Sequence, residues 1–273
     1  MDILLSSWRL GTKKTYHTYL KAWVAYATRK DIPIACPSTA QALAFLSELS
    51  RTGCSYNQLN TARSVLSLII GQSSDEISWG ERPLVKRFMK GHFEDKPILP
   101  RFYYTWDVSV VFNYFRGLPG PAHLSLRFLT KKLCLLLVLL SGGQRSQTIH
   151  QVEATDVRVV GQRLLIPIMG KIKQTAPGRH MAPLQFPVYT RDEKLCVVTH
   201  LTWYLARTRA VRRDRKLFLS YIKPHRAVTK DTVARWCKSV QTDAGIDTSA
   251  FTSHGFYDKE VLDDTTFQDL MIS

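Results

Sequence analysis

The chain predicts an α+β fold, mostly α: an N-terminal helical bundle, a linker, and then helices enclosing a small three-stranded antiparallel sheet. Three observations predict it. Apolar residues recur at three-and-four spacing over most of the chain, the mark of amphipathic helices. The period drops to two only between about 157 and 189, where a hairpin and a third strand fit. Leu124 to Leu140 turns apolar on every side, as a central core helix does. With 273 residues, 45% apolar and 22% charged, the chain has room for one large domain or two ordinary ones and can bury a core, so disorder is not its main character.

In chain order, Thr12 is expected to cap a helix whose inner face is Tyr16, Tyr19, Leu20, Trp23, Val24 and Ala27. Pro33 and Pro37 break the chain, and Ser38 or Thr39 caps a second helix through Leu43, Leu46 and Leu49. Tyr56 to Ile70 reads as a third helix, with Leu59, Ala62, Val65, Leu66 and Ile69 inward and Gly71 as its stop. Pro83 opens a fourth, through Leu84, Val85, Phe88 and Met89 to Gly91, because proline suits a first helical turn. These elements set a first domain at 1–92. Two prolines and mixed charges without a period make 93–104 a linker. A helix follows from about Thr105 to Phe115, a Gly-Leu-Pro-Gly-Pro loop at 117–121, and the apolar helix, ended by Ser141-Gly142-Gly143. Strands are expected at Val157–Val160, Arg163–Ile168 and Pro183–Tyr189, and helices at Cys196–Arg209 and Val228–Ala244.

Charge narrows the function. Lys+Arg number 38 against 22 Asp+Glu, a net charge of +16, which favours a polyanionic partner because cations held at a phosphate backbone release condensed counterions. The surplus is uneven: 37 Lys/Arg against 17 Asp/Glu up to residue 250, and 1 against 5 beyond it. The longest apolar run, Leu133–Leu140, is too short for a bilayer, so no membrane association is expected. No basic leader with an apolar stretch opens the chain. Five scattered cysteines (Cys36, Cys54, Cys134, Cys196, Cys237) without a Cys-x-x-Cys pair point away from a disulfide framework and a structural zinc site, toward a reducing compartment. Phosphate loops, dinucleotide fingerprints and paired metal ligands are absent, so neither cofactor nor metal is expected. A basic protein working on phosphate without metal must supply positive charge from side chains, and arginine's two-pronged donor geometry suits that task.

Three places could do so. Arg145 stands in Leu-Ser-Gly-Gly-Gln-Arg-Ser-Gln-Thr (residues 140–148), on a glycine turn after the apolar helix, where the backbone can approach a ligand; by spacing alone an ordinary surface arginine after a helix cap is the commoner case. Lys171 and Lys173 lie in a turn between two strands, with Arg179 and His180 returning opposite them. A lysine there can give a proton to a leaving oxygen, or the turn can be a solvated basic tip. His254 is a lone histidine after the last amphipathic helix.

Their order resembles that of the tyrosine recombinases, the phage-integrase superfamily. Lys-Gln-Thr-Ala-Pro-Gly-Arg-His (173–180), Leu-Cys-Val-Val-Thr-His-Leu (195–201) and Leu-Phe-Leu-Ser-Tyr-Ile-Lys-Pro-His (217–225) are similar to the branch found in eukaryotic mobile elements. The resemblance covers nearly all of 8–254. It implies that 1–92 is a core-binding DNA-binding domain and 105–254 a catalytic domain that breaks and rejoins double-stranded DNA through a phosphotyrosyl link, without a metal. It implies that Arg145 is the first arginine on the non-bridging oxygens, Lys173 (with Lys171 as rival) the hairpin lysine, and His254 the first position of the His-x-x-Arg motif. Thr148 stands where many bacterial members carry an acid. Lys13, Lys14, Lys171, Arg179, His180 and the run Arg207–Lys216 are candidate backbone contacts, and each could as well be a solvated surface charge.

The chain departs from the pattern after His254. The motif requires an arginine three residues on, and Tyr257 is there; it is also the sole tyrosine among the 19 residues that follow His254. The expectation is a divergent acidic tail at 255–273, a truncated C-terminus, and a DNA-binding, integrase-like protein inactive by itself. The alternative is an interaction module that enters or regulates an assembly of an intact recombinase, or a homo-oligomer on DNA. A eukaryotic origin would make it nuclear.

Overall fold

The structure, a computed structural model, describes residues 7–70, 77–97, 106–142, 144, 146–172 and 175–249. It divides into two compact units, Met1–Arg101 and Phe102–Ser273.

In the first unit, helix α1 (Leu10–Arg29) begins without a side-chain cap. Lys13 N–H closes the first turn on Arg9 O at 2.9 Å, so Thr12 lies inside the helix and not at its cap. The buried stripe is Trp23, Tyr26 and Ala27. Leu20 and Val24, expected inward, are 37% and 36% exposed. The face is rotated by one residue because Trp23, whose indole N–H donates to Ile34 O at 3.0 Å, packs edge-on against Phe45. Helices α2 (Thr39–Arg51) and α3 (Tyr56–Ile69) both open on a capping box, Ser38 with Gln41 and Ser55 with Gln58, so each start satisfies two backbone donors reciprocally. A short 3-10 turn, Trp79–Glu81, precedes helix α4 (Pro83–Asp95), whose first residue is the expected proline. Helix α4 continues past Gly91 into the segment read as a linker, since His92 is buried and its Nδ1 lies 3.0 Å from Ser50 Oγ. Gly71 lies outside the described residues.

The second unit is built around helix α6 (Leu126–Leu140), capped by Ser125 and buried at every residue from Leu129 onward. Helix α5 (Val108–Gly117) precedes it, with Asp107 as its cap. Two lysines close the far end of α5: Lys132 Nζ donates to Phe115 O at 3.1 Å and Lys194 Nζ to Arg116 O at 2.7 Å. They satisfy carbonyls that a helix end leaves without partners. Helix α7 (Ser146–Gln151) follows the glycine corner, a helix that sequence periodicity did not indicate because six residues are too few to show a period.

The sheet is antiparallel in the order β1 (Arg158–Val160), β2 (Arg163–Ile166), β3 (Leu184–Pro187). Val160 pairs with Arg163 across the Gly161-Gln162 turn, and Leu164 with Phe186. The strands are shorter than the alternating stretches that announced them, and all of β1 is exposed. Helix α8 (Val197–Thr208) and helix α9 (Lys230–Asp243, capped by Thr229) pack against α6 from two sides. Cys134 on α6 and Cys237 on α9 meet with their sulfurs 3.7 Å apart. Leu219 N–H donates to the buried Tyr204 hydroxyl at 2.9 Å, tying the apolar segment after α8 back to the core.

Candidate nucleic-acid interface

The glycine corner is where the buried helix hands over to α7. Ser141 ends α6, and Gly142 takes a φ of +69°, a conformation costly for any residue with a Cβ. Gln144 N–H donates to Ser141 Oγ at 3.3 Å, holding the turn closed one residue before Arg145. Helix α7 then starts at Ser146, with Thr148 and Ile149 buried. The pKa of His150 on α7 is lowered from the ordinary imidazole value, chiefly by burial and next by the Lys216 charge.

The segment that leads into the basic turn packs on this same helix. A Cβ added at Gly170 would lie 2.5 Å from Gln151 Oε1, so the glycine lets the two approach closely and any larger residue would push the glutamine side chain aside. Lys216 Nζ donates to that Oε1 at 3.2 Å. Ile172 is 2% exposed and its N–H donates to Thr175 Oγ1 at 3.1 Å, which anchors the base of the turn. At the tip, Ala176 and Arg179 exchange two backbone hydrogen bonds of 3.1 and 2.9 Å around Pro177 and Gly178. Gly178 has a φ of +70°, as the third position of a Pro-Gly type II turn demands. Lys171, Arg179 and His180 are exposed, and none has an ion pair among the described residues. The tip therefore presents net positive charge to solvent.

Arg145, Lys173 and His254 lie outside the described residues, as do Gly143, Tyr257 and the whole of 255–273. The described neighbours of the first two, Ser146 and Ile172, belong to elements joined through Gln151 and Gly170. In the first unit, Lys14 is exposed on α1 and Lys13 is half-buried, beside an apolar hollow floored by Trp8, Tyr16 and Leu20.

The run Arg207–Lys216 is partly structural, contrary to the sequence reading. The Arg207 guanidinium donates to the carbonyls of Ala122 and Leu124. Arg212 donates to Lys216 O at 2.6 Å, Leu217 O at 3.0 Å and Thr208 Oγ1 at 2.9 Å. Arg215 and Lys216 both pair with Glu153, at 2.9 and 3.7 Å. Arginines that satisfy buried carbonyls look in sequence like arginines awaiting phosphate. Conversely, sequence reading passed over a cationic hollow beside α9 that includes Lys131. Its signal was present: a charged pair, Lys131-Lys132, inside an otherwise apolar core helix.

No cluster of three or more His, Cys, Asp or Glu that could hold a metal occurs among the described residues, and no described helix is long and apolar enough to cross a membrane. No family model and no curated protein matches the sequence. Solved structures do share the fold. The XerH site-specific recombinase bound to difH substrate, in a pre-cleavage complex, matches with a TM-score of 0.52 and 15% identity over 80% of this chain and 56% of that one. XerH in a post-cleavage complex with palindromic difH substrate gives 0.52 and 14% over the same shares. A lambda integrase dimer bound to a COC′ core site gives 0.52 and 17% over 99% of this chain and 71% of that one. The chain thus spans 56% of the length of XerH, and it has the fold of site-specific DNA recombinases and integrases.

Proposed function

We propose that this chain is a DNA-binding protein of the tyrosine recombinase superfamily, of the kind carried by eukaryotic mobile elements, which holds double-stranded DNA through its basic surfaces and acts in the nucleus. The observation that carries the reading is the basic turn at 171–180, fixed by Ile172 and packed through Gly170 on the helix that follows Arg145. That arrangement, in a fold shared with recombinases solved on DNA, supports a surface on which a guanidinium and an ammonium converge on one phosphodiester. Binding should weaken steeply with salt, because phosphate contacts release counterions. Anisotropy titrations of a labelled duplex measure this, and Lys171→Ala with Arg179→Ala should lower the log–log slope by roughly two. A salt-insensitive affinity would reject backbone binding.

Within this proposal the 273-residue chain forms no covalent DNA adduct. Tyr257 occupies the position where the resemblance calls for the second arginine, and removal of one such donor costs about 2.7–4 kcal/mol of transition-state stabilisation. Incubation with a nicked duplex that traps phosphotyrosyl intermediates should leave no shifted band on a denaturing gel. An adduct mapped to Tyr257 would overturn this. Because one matching structure is a dimer on DNA, self-association on DNA, or entry into an intact relative's assembly, is the companion proposal. Adding the chain to an active relative without any change in recombination would sink it.

A further inference from the structure

The cationic hollow beside α9 lies in the C-terminal unit and reaches Lys131 on α6. It encloses about 670 Å³ between the 220–228 loop and α9, and four cations line it: Lys131, Lys223, Arg226 and Arg235. No acid lines it. Asp231, the acid next to it on α9, is engaged by Lys230 at 3.0 Å.

The informative residue is Lys131. It is 6% exposed, and its Nζ donates to one partner, Ser239 Oγ at 2.8 Å. Its neighbour Lys132 is buried too, but that ammonium serves the fold by closing the end of α5. Lys131 closes no helix end and meets no carboxylate among the described residues. A buried ammonium without a counter-charge is a costly arrangement unless an anion completes it. Ser239, whose oxygen accepts a hydrogen bond from the lysine ammonium, still holds a hydroxyl hydrogen it can donate. Arg235 donates to Thr232 Oγ1 at 3.0 Å, through one of its five N–H groups, so most of its fork remains available. Trp236 and Tyr221 form an aromatic wall, with Arg127 lying 5.9 Å above the Tyr221 ring.

We infer that this hollow is a phosphate-binding seat, with the buried Lys131 and the half-buried Ser239 as its inner end and Lys223, Arg226 and Arg235 as its rim. A phosphate group fits because its several oxygens can take the lysine, the hydroxyl and an arginine fork together, which a single carboxylate cannot. The phosphate belongs either to the backbone of bound DNA or to a free polyphosphate compound. The first source rests on the function proposed above and the second does not.

The full chain tests it with two probes, tripolyphosphate and a labelled duplex, and two variants. Arg226→Ala with Arg235→Ala removes exposed rim charges and carries little risk to folding. Lys131→Met keeps the buried stem and removes the charge, with Lys131→Arg as the conservative partner. Tripolyphosphate should raise the melting temperature of the parent chain, and of neither the rim variant nor Lys131→Met. If the seat holds a DNA phosphate, the rim variant should also lower the salt slope of duplex binding by about two and Lys131→Met by about one, with Lys131→Arg restoring it. A tripolyphosphate effect lost in the variants, with duplex binding unaltered or absent in the parent, assigns the seat to a free phosphate compound and leaves the seat standing even where the DNA reading falls. A parent chain indifferent to tripolyphosphate, whose duplex slope no variant changes, overturns the inference.

Discussion

His200 shows how far one side chain's chemistry depends on its setting. It is fully buried on α8, donates from Nδ1 to Cys196 O at 2.8 Å, and leaves Nε2 without a partner among the described residues. Burial first, and the Lys132 charge second, push its pKa down to about 4. The unfolded chain takes up this proton near pH 6.5 and the folded unit only near 4, so stability is untouched above 6.5 and falls as pH drops between those values. The loss should reach up to about 3 kcal/mol by pH 4, with His150 adding in the same sense. Denaturant titrations from pH 7 to 4 measure it, and His200→Leu should flatten most of the slope. Lys132, lowered to about 8 by burial, sits beside it as a second ionisable group whose charge the core disfavours. The sequence carried a sign of the lysine alone, its place in an apolar helix; a histidine within a helix reads as a surface residue until its neighbours are known.

At the scale of elements, three helix starts were legible in the sequence. Ser38, Pro83 and Thr229 each stand at or beside a helix start, because capping is a contact between residues two or three apart, whereas Thr12 lies inside its helix. Ser38→Ala should lower the stability of the first unit by about 1 kcal/mol, and Ser55→Ala by a similar amount, since each dismantles a capping box. Thermal or urea melts would show it, and no loss from either variant would mean that tertiary packing alone fixes those starts. Gly170→Ala tests the contact between the basic turn and α7: its Cβ must displace Gln151, breaking the bond from Lys216. The expected effect is modest in stability, about 1 kcal/mol, because the obstructing atom ends a flexible side chain. Less legible were the inner face of α1, which a tryptophan's packing partner turned by one residue, and α7, too brief to announce itself.

Over the whole molecule, two separate cores divide the chain, one holding Trp23, Phe45 and Trp79, the other built on α6. Residues 1–101 made alone should therefore unfold in one cooperative transition, whereas a broad, probe-dependent melt would mean that the first core depends on the second unit. The sequence by itself determined the helical class, the antiparallel hairpin, the surplus of positive charge and the Gly-Arg and Lys-rich phrases, because period, capping and composition are local properties of a chain. It could not tell Arg207 and Arg212, which hold backbone carbonyls, from arginines that meet solvent, nor show that Lys131 lies buried beside Ser239. Only the tertiary structure decided those, since whether a cation finds its partner inside the protein or must find it outside depends on residues about a hundred positions away.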